Sequence, residues 1–234
     1  MELIARGRAA DVFDLGDGRV LRRYRDGGDA ALEARAMLHL EERGYPVPHV
    51  YDAEGPDLVV ERVDGGTLFD EMVHEPAQYR RYGRLLGELH ERLHRLPAPP
   101  WLADDTEGLV VIHRDLHPQN VILSVRGPVV IDWTDVTAGK ASVDAAVTVL
   151  LTLGSDLDVD PAVAEHVEPF RALFVDAFLE TCGTDPREGL TEAIEYRLGT
   201  PNNTQKETAW LTEDGPRCLD AFYLEPRELQ SREL

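Results

Sequence analysis

The stretch VIHRDLHPQNVILSVRGPVVIDW, residues 111–133, decides the fold of this chain. It contains short runs of apolar, largely β-branched residues that we predict to be strands. Asp115 follows the first strand, Asn120 lies five residues further on, and Asp132 follows the last strand. Three side chains that carry oxygen atoms therefore leave strand ends close together.

Such a set of side chains suits the transfer of a phosphoryl group. This reaction is accelerated mainly by positioning the nucleophile and by neutralising charge on the group that moves. One carboxylate must accept the proton of an acceptor hydroxyl, and Mg²⁺ takes further oxygen ligands. Asn120 and Asp132 have the atoms to bind such an ion. The alternative is that Asp and Asn stand here only because they favour turns.

The segments HRDLHPQN and IDW resemble the catalytic and metal loops of the aminoglycoside phosphotransferases and related small-molecule kinases. The catalytic loop of that family reads H-G-D-x-x-x-x-N. The resemblance implies that Asp115 is the catalytic base and that Asn120 and Asp132 bind Mg²⁺ beside ATP. It also implies an α+β fold of the protein-kinase-like type, with a β-rich N-terminal lobe and a mainly helical C-terminal lobe.

Turn-forming residues mark the organisation of the first lobe. The sequence Gly16-Asp17-Gly18 separates two apolar runs and predicts a hairpin. Asp29 can cap a helix that runs to about residue 43, with apolar contacts predicted for Leu32, Met37, Leu38 and Leu40. The sequence Asp64-Gly65-Gly66 ends the last strand, and we place the lobe boundary there, giving lobes of residues 1–64 and 65–234.

The second lobe begins with helical periodicity. We predict helices at residues 77–96, 141–153, 161–181 and 186–198, and strands at 109–112, 121–123 and 129–131. The resemblance implies structural roles for His90 and His113, and a bracing role for Asp144 beside the catalytic loop. For Asp135 it leaves two alternatives, a similar supporting role or a place on the polar surface.

Weaker motifs of the same family lie in the first lobe. Glu33 falls where the family has a helix glutamate that pairs with the basic, phosphate-binding residue. Glu61 and Val63 fall in the hinge strand, whose backbone groups bind adenine in the family. The nucleotide-covering loop would be residues 5–10, which contain one glycine.

The family's phosphate-binding lysine is missing, because the first 139 residues contain no lysine. An arginine must take this place, since a guanidinium keeps the charge and can hold phosphate oxygens with two donors. We predict Arg22, because strand alternation turns it to the same side as Val20, towards the nucleotide. Arg23 is the alternative.

Composition excludes several other classes of function. A formal net charge of −20 would repel a nucleic-acid backbone and fits either a cationic ligand or a solvated acidic surface. The longest uncharged apolar stretch, residues 145–155, is too short to cross a bilayer, and no signal peptide is recognisable. We therefore expect a cytoplasmic protein without nucleic-acid or membrane partners, in which Cys182 and Cys218 are reduced.

Three functions remain open at this point. The resemblance favours transfer of phosphate from ATP to a hydroxyl of a small molecule, such as an aminoglycoside, an amino sugar or another metabolite. The sequence H-R-D at residues 113–115 is typical of protein kinases, although no A-P-E segment follows. The missing lysine favours a third alternative, a nucleotide-binding module without catalytic activity.

Overall fold

The computed structural model describes residues 1–7, 10–25, 27–156, 161–201 and 203–223. Contacts divide the chain into two compact units, and neither is continuous in sequence. The first unit comprises residues 1–71 and 96–138, and the second comprises residues 72–95 and 139–234. The contacts group residues 96–138 with the N-terminal strands. The predicted lobe boundary at residue 64 is a different kind of division, and it stays a prediction.

A five-stranded antiparallel sheet belongs to the first unit. Its strands are β1 (Glu2–Arg6), β2 (Ala10–Gly16), β3 (Arg19–Tyr24), β4 (Val50–Glu54) and β5 (Asp57–Glu61), in the order β1-β2-β3-β5-β4. The predicted hairpin joins β2 to β3, and its turn residues Asp17 and Gly18 have φ angles of 54° and 72°. Strand β1 was not predicted, because all five of its residues are exposed and an alternating pattern is missing.

Helix α1 (Ala31–Glu41) follows the sheet's third strand in sequence. The carboxylate of Asp29 accepts a hydrogen bond from the first N–H of this helix, at 2.9 Å. Its buried residues are Glu33, Ala34, Ala36, Met37 and Leu40. The prediction that Leu32 and Leu38 make apolar contacts is wrong, because they lie off the buried face and are 45% and 43% exposed. Glu33 occupies the buried face instead.

The remaining strands of the described residues form two smaller sheets. One contains β6 (Gly66–Thr67), β8 (Val121–Ser124) and β9 (Gly127–Val130), and the other contains β7 (Val110–Ile112) and β10 (Thr137–Gly139). Gly65 precedes β6 with a φ angle of 153°, and a Cβ atom there would overlap the carbonyl of Leu123. Asp115 lies between β7 and β8, and Asp132 lies just beyond β9.

Helices form most of the second unit. They are α2 (Leu68–His74), whose first residues belong to the first unit, α3 (Tyr79–His94), α4 (Ala141–Gly154), α5 (Pro161–Val167), α6 (Arg171–Leu179), α7 (Leu190–Leu198), α8 (Gln205–Glu213) and α9 (Asp220–Tyr223). A single helix at 161–181 was predicted wrongly, because Pro169 lacks an N–H donor and a 3₁₀ turn separates α5 from α6. Helix α8 was missed, although Thr204 and Glu207 form a capping box at its start.

The predicted fold class is thus confirmed as a mixed fold with a β-rich unit and a helical unit. In the part of the chain that the structure describes, no helix is long and apolar enough to cross a membrane.

Candidate active site

A cavity of about 630 Å³ lies within the first unit. Five of the predicted site residues line it: Arg22, Glu33, Glu61, Val63 and Asp132. Much of its wall is apolar, with contributions from Val12, Val20, Met37, Leu58, Val60, Ile122 and Ile131. Asp115 and Asn120 are not among the lining residues. An apolar cavity with a few charged groups suits a ligand that has one flat apolar part and one charged part.

The guanidinium of Arg22 is the centre of a charged cluster in this cavity. The side chain is only 13% exposed. Its Nη1 donates to Glu33 Oε1, while Nη2 donates to Asp132 Oδ1 at 2.5 Å and to Thr134 Oγ1 at 2.8 Å. Burial disfavours the charge, but the carboxylates of Glu33 and Asp132 raise the pKa of Arg22 above its usual value.

Arg23, the alternative to Arg22, is held elsewhere. Its Nε and Nη2 donate to the carboxylate of Asp57 at 2.6 and 2.5 Å, in an exposed pair. Val20 lines the cavity together with Arg22, whereas Arg23 does not. Because side chains alternate along strand β3, Arg22 lies on the cavity side of the sheet and Arg23 does not.

Glu33 has three donors around a carboxylate that is 3% exposed. Besides Arg22, the hydroxyl of Tyr24 donates to Oε2 and the N–H of Trp133 donates to Oε1, the latter at 3.0 Å. Burial raises the pKa of Glu33 above its usual value, although Arg22 and Tyr24 act in the opposite direction. These contacts join helix α1 to strand β3 and to the residue after Asp132.

The fully buried His113 connects the predicted catalytic loop to the end of strand β9. Its Nδ1 accepts a hydrogen bond from the N–H of Asp115 at 3.2 Å, and its Nε2 lies 3.1 Å from the carbonyl of Ile131. Because Nδ1 accepts, the proton belongs on Nε2, which donates to that carbonyl. The imidazole thereby fixes the backbone of Asp115 relative to the residue before Asp132.

The amide of Asn120 orients the side chain of Asp115. Its Nδ2 donates to the carbonyl oxygen of Asp115 at 2.8 Å and to Oδ2 of the same residue at 3.1 Å. The Asp115 side chain keeps 30% of its surface exposed. The His117 Nε2 lies 3.6 Å from the same Oδ2. Asn120 therefore holds the Asp115 carboxylate with its amide nitrogen.

Unusual backbone conformations occur on both sides of this arrangement. Within the described residues, the non-glycine positions with positive φ are Asp17, Arg114 and Asp132, and both Arg114 and Asp132 have φ of 64°. Such conformations cost energy and are concentrated at functional sites. Burial opposes ionisation of Asp132, but Arg22 and the Thr134 hydroxyl hold its pKa below the usual range.

Asp135, close to the same loop, is partly buried. Burial is the first cause that raises its pKa, and the charge of Asp115 is the second. The Nε of Arg114 donates to the Asp135 carbonyl at 2.8 Å. This contact involves the backbone of Asp135, so both alternatives for its side chain stay predictions.

The predicted hinge is tied into the sheet. The N–H of Glu61 donates to the carbonyl of His49, and the N–H of Arg62 donates to the carbonyl of Gly18, both at 2.8 Å. The carboxylate of Glu61 accepts from Arg126 at 2.6 Å. These contacts fix the backbone that leads to Val63 along the cavity wall.

The oxygen atoms near the cluster fit a divalent cation such as Mg²⁺. Neither Asn120 Oδ1 nor Asp132 Oδ2 accepts a hydrogen bond from any described residue, and the Asp132 side chain is 39% exposed. No group of three or more His, Cys, Asp and Glu side chains in the described segments forms a complete metal site. Two protein oxygens with room for water and phosphate are typical of Mg²⁺ sites.

Tyr24 and Thr134 are members of the cluster that the sequence interpretation missed. Tyr24 continues the alternation of Val20 and Arg22, so the period of two could have revealed it. Thr134 contacts a strand more than one hundred residues away in sequence, and no local pattern indicates that contact. In the loop at residues 5–10, Arg8 and Ala9 lie outside the described residues.

The fold, a β-rich unit with a helical unit, is that of the protein-kinase-like phosphotransferases. The sequence model described as "Phosphotransferase enzyme family" matches residues 1–108 and 99–188. These matches span most of the chain, so the protein belongs to this family.

Solved structures of related enzymes share the fold at low sequence identity. The ADP-bound aminoglycoside phosphotransferase APH(2'')-Ib is 11% identical, with a TM-score of 0.57 and coverage of 95% of this chain and 94% of that one. The gentamicin complex of APH(2'')-IIa has a TM-score of 0.60 at 12% identity, covering 93% and 90%. A choline/ethanolamine kinase family protein from Mesorhizobium loti has a TM-score of 0.57 at 15% identity, covering 97% and 88%.

A curated protein is also similar in sequence. It is a probable serine/threonine-protein kinase, the BUD32 homolog of Archaeoglobus fulgidus, 26% identical over 170 residues, which are 71% of this chain and 73% of that protein. That protein is named as a protein kinase, whereas the enzymes above are named after small molecules.

Proposed function

We propose that the protein transfers the γ-phosphate of ATP to a hydroxyl group of a small molecule, with Asp115 as catalytic base. The observation that carries this proposal is the pair formed by Asp115 and Asn120, in which Nδ2 donates to Oδ2 at 3.1 Å. This contact orients a partly exposed carboxylate and leaves an amide oxygen for a cation. Membership of a phosphotransferase family supports the same chemistry.

In this proposal Asp115 accepts the proton of the acceptor hydroxyl or orients it for attack. A general base must lie within hydrogen-bond reach of that proton, and the exposed part of the Asp115 side chain allows such an approach. His113 holds the backbone and Asn120 holds the carboxylate, so little reorganisation is needed when the acceptor binds.

The cavity takes the nucleotide in this proposal. Its apolar wall suits the adenine ring, backbone groups at Glu61 and Val63 bind the ring's edge, and Arg22, oriented by Glu33, faces the phosphates. Asn120 and Asp132 would hold Mg²⁺, which neutralises charge on the phosphates when bound. The similar APH(2'')-Ib was solved with ADP, which supports a nucleotide as donor.

The acceptor is proposed to be a small hydroxylated molecule. Similar enzymes were solved with gentamicin and with streptomycin. The net charge of −20 favours a cationic acceptor by electrostatic attraction. An ATP-dependent reaction of this kind belongs in the cytoplasm, where we propose that the protein acts, without nucleic-acid or membrane partners.

A protein kinase is the second candidate. It is favoured by the similarity to the probable protein kinase of Archaeoglobus fulgidus and by the sequence H-R-D. A catalytically inactive nucleotide-binding module is the third, favoured by arginine in place of lysine at position 22. Transfer to a generic protein substrate would support the second candidate, and nucleotide binding without any transfer would support the third.

The test is a phosphate-transfer screen over hydroxylated and amine-bearing small molecules, with casein as a protein substrate in parallel. For the acceptor that is found, Asp115→Asn should lower kcat by about 10³-fold or more, because the base is lost while the shape is kept. ADP affinity should change by less than about threefold, since Asp115 lies outside the cavity wall.

Asp57→Asn is the matched control, because this carboxylate is paired with the exposed Arg23 away from the cavity. It should keep the turnover of the unmodified protein. Retained turnover in Asp115→Asn would exclude Asp115 as the base.

A further inference from the structure

One oxygen of the Asp132 carboxylate is already held by two donors. Oδ1 accepts from Arg22 Nη2 at 2.5 Å and from Thr134 Oγ1 at 2.7 Å. A carboxylate oxygen has about two lone pairs, so these bonds fill its capacity. Only Oδ2 is left for an incoming cation, and the guanidinium charge stands directly beside the carboxylate that would bind this cation.

The fork of arginine makes this arrangement possible. Nη1 binds Glu33 while Nη2 binds Asp132, so one residue bridges two carboxylates through two different nitrogens. The ammonium of a lysine carries its three donors on one nitrogen, so it cannot reach both carboxylates with the separate nitrogens that the guanidinium uses. The bridge is therefore a consequence of the arginine at position 22.

We propose that Arg22 is a positioning residue for Asp132 that makes metal binding depend on the nucleotide. This inference rests on the proposed function, because it assumes that Asp132 is a metal ligand. In the protein without nucleotide, the guanidinium of Arg22 binds Oδ1 of Asp132, where a cation would otherwise bind. A divalent cation would then have only Oδ2 of this carboxylate as a ligand, and the positive charge of Arg22 would repel it.

Charge explains why a nucleotide would remove this obstacle. The phosphates bring negative charges next to both Arg22 and the metal position, so the repulsion between the two cations is compensated. They also supply the oxygen ligands that the protein lacks, since few protein oxygens are available there. The cation is therefore expected to enter together with the nucleotide rather than before it.

The inference is tested by titrating the full-length protein with Mn²⁺ and measuring free Mn²⁺ by electron paramagnetic resonance, with and without ADP. The Mn²⁺ that ADP binds in the absence of protein is measured separately and subtracted. After this correction, the unmodified protein should bind Mn²⁺ at least about tenfold more tightly with ADP than without it. Arg22→Lys should bind Mn²⁺ without ADP about tenfold more tightly than the unmodified protein, because Oδ1 loses its bridge.

Arg23→Lys is the matched control, because it makes the same change at the next residue of strand β3, where the arginine pairs with Asp57 outside the cavity. Its Mn²⁺ affinities should equal those of the unmodified protein. Thr134→Val is the second test variant, since it removes one donor to Oδ1 while nearly keeping the side-chain volume. It should tighten Mn²⁺ binding without ADP by about two- to fivefold and decides the question if Arg22→Lys does not fold.

The outcomes separate this inference from the proposed function. Equal Mn²⁺ binding by the unmodified protein, Arg22→Lys and Thr134→Val in the absence of ADP overturns the inference alone. Absence of Mn²⁺ binding by every variant, even with ADP, overturns the proposed metal site and the inference with it. Tighter Mn²⁺ binding by Arg22→Lys and Thr134→Val in the absence of ADP, together with a lack of phosphate transfer to any acceptor, supports the inference and overturns the proposed reaction.

Discussion

The two compact units use buried polar side chains in different ways. In the second unit, fully buried His90 makes contacts with the carbonyl of Leu86 at 2.9 Å and with Thr148 Oγ1 at 2.8 Å. Next to it, His94 Nε2 lies 2.9 Å from Oδ2 of the buried Asp144. These groups are shielded from solvent and bind one another.

In the first unit, by contrast, the charged side chains of Arg22, Glu33 and Asp132 border the cavity. Asp132 keeps an oxygen without a partner among the described residues, and so does Asn120. Polar groups that bind only one another stabilise a fold, while polar groups with unused oxygens at a cavity are arranged for a ligand. The difference predicts that mutations will affect activity in one unit and stability in the other.

The largest effect is expected at Asp132. Asp132→Asn should lower phosphate transfer by about 10³-fold or more, because the amide cannot replace the charge next to a metal. The melting temperature should fall by only a few degrees, because Arg22 loses one carboxylate partner and keeps the other, Glu33. Parallel transfer assays and thermal melts would measure both quantities. A fall in stability that accounts for the lost activity would contradict the comparison.

Asp144→Ala is the corresponding change in the second unit. It leaves His94 buried without its partner, while Nδ1 of that ring is already without one. The free energy of unfolding should fall by about 3 kcal/mol, as for other broken buried pairs. Denaturant unfolding would measure it. If stability is unchanged and turnover is lost, Asp144 acts on the reaction, as in the predicted role beside the catalytic loop.

The sequence allowed much of the first unit to be predicted, for identifiable reasons. Alternation and the turn at Asp17 indicated the hairpin, and the same alternation selected Arg22 over Arg23 as the residue on the cavity side. Asp115, Asn120 and Asp132 stand in one short stretch, and the resemblance of this stretch to the family's catalytic and metal loops marked them. Their catalytic and metal-binding roles stay predictions, because geometry does not measure a reaction.

Features that depend on distant contacts could not be predicted in this way. The hydrogen bonds of Thr134 to strand β3 follow from packing between segments that are far apart in sequence. The exposed strand β1 has no buried face, so its composition gives no signal. The pairing of Glu33 with a basic residue was expected only from the family resemblance, because apolar periodicity does not place a glutamate on the buried face of helix α1.

A third prediction concerns the two thiols of the second unit. Burial raises the pKa of Cys218 from 9.0 to about 11, and burial also raises the pKa of Cys182. Because the thiolate is the reactive form, alkylation of Cys218 by iodoacetamide at pH 8 should be about 100-fold slower than in the unfolded chain. Mass spectrometry of native and denatured protein would measure the rates. Equal rates would show that the second unit is open to solvent there.

The smallest effect is expected where two helices of the second unit meet. A Cβ atom at Gly87 of α3 would overlap Thr181 Oγ1 and would lie 2.6 Å from the carbonyl of Phe178, at the end of α6. Gly87→Ala should therefore lower the free energy of unfolding by about 2 kcal/mol, as overpacking usually does. Denaturant unfolding would measure the change.

Gly199→Ala is the control for this prediction. Gly199 has a φ angle of −76°, which any residue adopts, and a Cβ atom there would make only ordinary contacts at 3.4 and 3.6 Å. This variant should be nearly neutral. An equal loss in both variants would indicate a general effect of replacing glycine and would contradict the close contact of α3 with α6 as the cause.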